Sequence, residues 1–100
     1  MVKLVALFTK PSDPEDFDRH YTDTHIPLVK KWPGLRNVET GKITGAIGGE
    51  APYYQIAEMY FENMDALKTA LRSPEGRAAG ADLQSFAPGL VTMLYVDLAR

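Results

Sequence analysis

The chain has 100 residues, 45% of them hydrophobic, which suits one packed domain and leaves little room for a second. Its 13 acidic and 11 basic residues are dispersed, and a net charge of −2 without blocks of like charge argues against nucleic acid or an anionic membrane as a partner. With no cysteine there is no disulfide, no thiolate nucleophile and no thiolate metal site.

Val2 to Thr9 is almost continuously apolar and predicts a first strand covered on both faces. The opening MVKLVALFTK lacks a small-residue cleavage site, so it reads as that strand rather than as a signal peptide. Apolar runs reach only about five residues, against the ~20 of a membrane span, and a cytoplasmic protein is the expectation. Pro11 to Pro14 breaks the strand; Asp13 is placed to cap a helix whose first position is Pro14. Glu15, Asp16 and Asp18 near its start and Lys30 and Lys31 near its end complement the helix dipole, and Trp32-Pro33-Gly34 ends it.

A longer, irregular strand is expected from Leu35 to Ile47, then a turn at residues 48–52. Tyr53 to Phe61, YYQIAEMYF, is the clearest strand, rich in aromatic and β-branched residues. Asn63 is placed to cap a helix from Met64 to Leu71, Ser73-Pro74 to start a short Ala/Gly-rich helix reaching Phe86, and Leu90 to Leu98 to close the chain as a strand. The order is βαββαβ over residues 1–100, the ferredoxin-like α+β plan: an antiparallel four-stranded sheet with helices on one face.

With helices on one face, the other face should read polar. Instead both alternations read as mostly apolar across three strands: Val2, Leu4, Ala6 and Phe8 against Lys3, Val5, Leu7 and Thr9 in the first, with comparable sets in the third and last. Left bare, the helix-free face would form a large apolar patch, and covering it with a second copy is favourable at ~25 cal/mol per Å². A homodimer closing a barrel between two sheets is the expectation.

The first helix carries the chemistry-bearing residues. Taken as regular, it places Phe17, Tyr21, Leu28 and Trp32 within about 60° of arc, with His25 inside that buried stripe. His20 falls on the solvated flank, roughly 140° from His25, too far for both to reach one metal. Pro27 removes the amide that would bond the Asp23 carbonyl, so a kink or loosening is expected at the turn holding His25. Two readings of His25 stand at this point: a core histidine bonded to a carbonyl, or a proton carrier near neutral pH. Tyr21, Tyr54, Tyr60 and Tyr95 read equally as core rings with bonded hydroxyls. Glu58, a carboxylate in an apolar strand, is expected either to bridge across the dimer or to line a cavity.

Phe17, Tyr21, His25, Pro27 and Leu28, followed by Pro33-Gly34-Leu35, form a pattern that resembles the EthD-like family, as do Ser73 to Gly76 with Asp82 and Phe86 downstream. The resemblance spans nearly the whole chain and implies the dimeric α+β barrel superfamily. That family is named for a gene cluster of ethyl tert-butyl ether degradation, and related barrels include isomerases, polyketide cyclases, cofactor-free quinol monooxygenases and haem-handling enzymes. It implies His25 as a proton shuttle in a cavity between sheet and helices of each protomer. The histidine–cysteine pair of a related methylmuconolactone isomerase has no counterpart in a chain without cysteine.

The expectation is a cofactor-independent enzyme of isomerase, cyclase or monooxygenase type acting on a small apolar or aromatic carbonyl compound, with no metal. His25 would be catalytic, Tyr21 or Tyr54 would steady an oxyanion, Trp32 and Phe86 would form an apolar wall, and Glu58 would contact the ligand. The alternatives are a dimer that binds such a molecule without chemistry, a haem-type role with one axial histidine, and a purely structural dimer.

Overall fold

The computed structural model describes residues 1–98. Four strands, β1 (Val2–Phe8), β2 (Asn37–Lys42), β3 (Gln55–Phe61) and β4 (Val91–Asp97), form one sheet in the order β2-β3-β1-β4. Every adjacent pair is antiparallel, and β1 lies at the centre between β3 and β4. Helices α1 (Pro14–His20), α2 (Ile26–Val29), α3 (Met64–Arg72) and α4 (Pro74–Phe86) complete the ferredoxin-like α+β fold.

Local chemistry starts each helix. The Asp13 side chain accepts from the Asp16 amide at 3.2 Å with Pro14 at the first turn, and Asn63 accepts from the Ala66 amide at 2.9 Å. Ser73 accepts from the Gly76 amide at 3.0 Å, and α4 runs from Pro74 to Phe86, the span its start signal and Ala/Gly-rich sequence suggest. Gly34 adopts φ 77°, which allows the sharp exit after Trp32-Pro33 that an L-residue would resist.

β2 is shorter than expected, six residues in place of Leu35 to Ile47. Gly45, Gly48 and Gly49 offer no side chains to pack, and between Ile43 and Pro52 only an isolated Ala46–Gly49 bridge forms. Ile47 stands fully exposed at the tip of this loop.

Strand alternation sends Leu4, Ala6 and Phe8 of β1 and Ala57, Met59 and Phe61 of β3 to the helix side. There they pack with Phe17, Tyr21, Leu67 and Leu83 into one core, in which Phe8, Phe61 and Leu67 are sealed from solvent. Each such ring or leucine contributes about 1.5–3 kcal/mol by burial. The opposite face presents Val5, Leu7, Ile56 and Leu94, with Lys3, Glu58 and Tyr60 toward one end.

The first helix departs from regularity. Between α1 and α2 lies a π-helical turn, Tyr21–His25, in which the Ile26 amide donates to the Tyr21 carbonyl, five residues back. Pro27 cannot donate to Asp23, and the wider turn is how the backbone accommodates that missing bond.

Candidate active site

The π turn corrects the helix-wheel geometry. A regular helix would hold His20 and His25 about 140° apart. The extra residue in the turn brings them onto one side, where both reach Asp82 of α4. His20 Nε2 lies 2.7 Å from Asp82 Oδ1, and His25 Nδ1 lies 3.0 Å from Oδ2. Phe86, one helical turn after Asp82, covers both rings, with centroids 4.4 Å from His20 and 5.1 Å from His25.

His25 is buried, and burial pushes its imidazole below the ordinary histidine range; Asp82 opposes that shift and His20 adds to it. A neutral ring whose Nδ1–H donates to a carboxylate leaves Nε2 free to accept. His25 lines a cavity of about 50 Å³ between the sheet and the helices. Most of the wall is apolar, built from Ala6, Phe8, Val29, Met59 and Leu83 among others. Gly80 of α4 and Met93 of β4 also line it and are exposed, so the cavity meets the surface between those elements.

Two further polar atoms belong to cavity-lining residues. Tyr21 Oη and Trp32 Nε1 are buried, and neither has a hydrogen-bond partner among the described residues. Burial pushes the Tyr21 hydroxyl well above the ordinary tyrosine range, tempered by nearby Gln55, so it stays protonated and can donate. The Gln55 amide itself donates at 2.8 Å to the Gly41 carbonyl. A buried donor left unpaired costs about 1–3 kcal/mol, a cost that a ligand oxygen would remove.

The other expected site residues lie elsewhere. The Tyr54 hydroxyl donates to Asp18 at 3.0 Å and accepts from Lys42 at 3.0 Å, outside the cavity. Phe86 backs the imidazoles rather than lining the cavity. Glu58, expected to contact a ligand, lies on the helix-free face, because its neighbours Ala57 and Met59 face the helices; its partner is Lys3 at 2.9 Å. Asp82 and His20 had no assigned role in the sequence. The available signal was the Asp82–Phe86 spacing, which puts both residues on one helix face.

Residues 10–89 match the EthD domain. The chain belongs to the EthD family. An ethyl tert-butyl ether degradation (EthD) family protein of Bacillus halodurans is similar at a TM-score of 0.95 and 41% identity, with 99% of each chain covered. An uncharacterized 11.0 kDa protein encoded between thcB and thcC in Rhodococcus erythropolis is 38% identical over 97 residues, covering 97% of this EthD chain and 94% of that one. More distant solved structures share the fold. A dimeric ferredoxin-like protein of unknown function from Thermobifida fusca has a TM-score of 0.73 at 20% identity, covering 97% and 90%. SnoaB of Streptomyces nogalater, a cofactor-independent oxygenase, has a TM-score of 0.67 at 20% identity, covering 99% and 92%.

Proposed function

We propose that this EthD-family chain is a cofactor-independent enzyme that moves a proton on a small, largely apolar carbonyl compound such as a lactone or polyketide fragment. The observation that carries this reading is the His25–Asp82 pair at the wall of an apolar cavity. His25 Nε2 takes a proton from the carbon beside the carbonyl, and Asp82 stabilises the imidazolium. The electrons move onto the carbonyl oxygen, which receives a hydrogen bond from the Tyr21 hydroxyl as it becomes negative. The imidazolium then returns the proton to another atom of the same molecule. The net change is an isomerisation or cyclisation that needs no oxidant. The likeness to a cofactor-independent oxygenase supports the choice of a fold suited to chemistry without a bound helper.

The working unit is a homodimer through the helix-free face. The apolar side chains of Leu7, Ile56 and Leu94 on that face support this, as do dimeric neighbours of the same fold.

The test compares the wild type with His25→Gln on a panel of small lactones and cyclic ketones, following both binding and turnover. Proton transfer through His25 predicts turnover lost by about 10²- to 10⁴-fold with binding kept. Tight binding with no turnover by either protein would replace the enzyme with a carrier.

A further inference from the structure

One carboxylate serves two rings. The His20 side chain is 34% exposed, that of Asp82 14% and that of His25 8%, so the array runs from solvent to the cavity wall. His20 does not line the cavity. It reaches His25 only through Asp82 and beneath the shared cover of Phe86. A single negative charge compensates one imidazolium fully, and two only in part.

We propose that Asp82 positions His25 for proton transfer and that His20, bonded to the other oxygen of the same carboxylate, sets how strongly His25 holds its proton. This rests on the reading of His25 as the proton carrier. While His20 is neutral, its Nε2–H donates to Asp82 Oδ1, and the carboxylate keeps its full charge for a proton arriving on His25. Once His20 is charged, it draws on that carboxylate and repels a second imidazolium. A proton on His20 and one on His25 then oppose each other across the shared carboxylate.

The groups acting on His25 are Asp82 from α4 and His20 from α1, with the Tyr21 ring 6.0 Å away in its own turn. Arg19, next to His20 in the chain, is engaged by Asp16 at 3.3 Å. A surface histidine thereby reports external pH to a buried base it never touches. Asp82 and His20 act through His25 and are positioning residues.

Side-chain NMR titration of wild type, His20→Gln, Asp82→Asn and the double variant tests this, with folding checked by circular dichroism. Glutamine keeps a donor for Asp82 but does not titrate. His20→Gln is expected to move the His25 titration to higher pH. Asp82→Asn is expected to move it lower and to release the Nδ1–H tautomer, and the effect of His20→Gln shrinks when Asp82 is already Asn. A His25 titration identical in wild type and His20→Gln would overturn the part given to His20. A His25 unchanged in position and tautomer in Asp82→Asn would overturn the part given to Asp82. These readouts need no substrate, so their failure is distinct from an absence of turnover. Where turnover is found, Asp82→Asn lowers kcat about 10- to 100-fold with KM little changed, and His20→Gln moves the acid limb of the pH profile.

Discussion

In the proposed mechanism, Asp82 decides the chemistry available to His25. By accepting at Nδ1 it selects the tautomer whose Nε2 is a base, and it opposes the burial that pushes the ring below the usual histidine range. The same shift has a thermodynamic consequence. The unfolded chain's histidine titrates near ~6.5 and the folded one lower, so between those values the unfolded chain binds more protons. Stability therefore rises with pH through that window, and acidification below about 6.5 removes it until the folded ring is itself protonated. Denaturant midpoints should fall from about pH 7 to about pH 5 in the wild type, and less steeply in His25→Gln. Equal slopes in the two proteins would assign the acid loss to other groups.

At this scale the sequence was only half legible. His25, Tyr21 and Trp32 were marked by their place on a buried stripe, and they do line one cavity. Asp82 sits 57 residues from His25, and no local pattern links positions so distant. Glu58 drew attention as a carboxylate among apolar residues, yet Lys3 on the neighbouring strand supplies its partner.

Among the elements, the π turn does most to build the site. Pro27 foretold an irregularity at the right place, but a proline specifies a missing bond rather than the form of the repair. The result is a widened turn that swings His20 from the solvated flank to Asp82. Strand and helix existence was legible from periodicity and caps, whereas β2 failed where glycines left nothing to pack.

Helix α4 carries two glycines with opposite roles. A methyl group at Gly76 would sit 2.1 Å from the Ala70 carbonyl oxygen, whereas nothing lies within 4 Å of one at Gly80. Gly76→Ala should therefore destabilise by about 1–3 kcal/mol despite alanine's helix preference, since backbone must move. Gly80→Ala should stabilise by about 0.5–1 kcal/mol. Denaturant titration of both variants checks the pair, and equal gains would show that α3 and α4 do not meet closely at Gly76.

For the whole molecule, the two faces of the sheet divide the work. The helix side closes a core and the small cavity that His25 lines; the other side leaves Leu94 45% exposed beside Val5. A charge there would be buried in the proposed dimer. Leu94→Asp is expected to weaken self-association at least about tenfold, or ~1.4 kcal/mol, by analytical ultracentrifugation, with each protomer still folded. Unchanged association would move the interface to another surface. The fold was legible because alternation and helix caps repeat along the chain, and the family match agrees with that plan.

The central claim is that His25 presents a free, basic Nε2 to the cavity. Nitrogen-15 NMR of the imidazole at neutral pH measures this directly, since the two tautomers give different nitrogen shifts. The account predicts a neutral ring protonated at Nδ1, with Nε2 bare and responsive to a ligand in the cavity. A ring protonated at Nε2, or carrying a full positive charge at neutral pH, would contradict it.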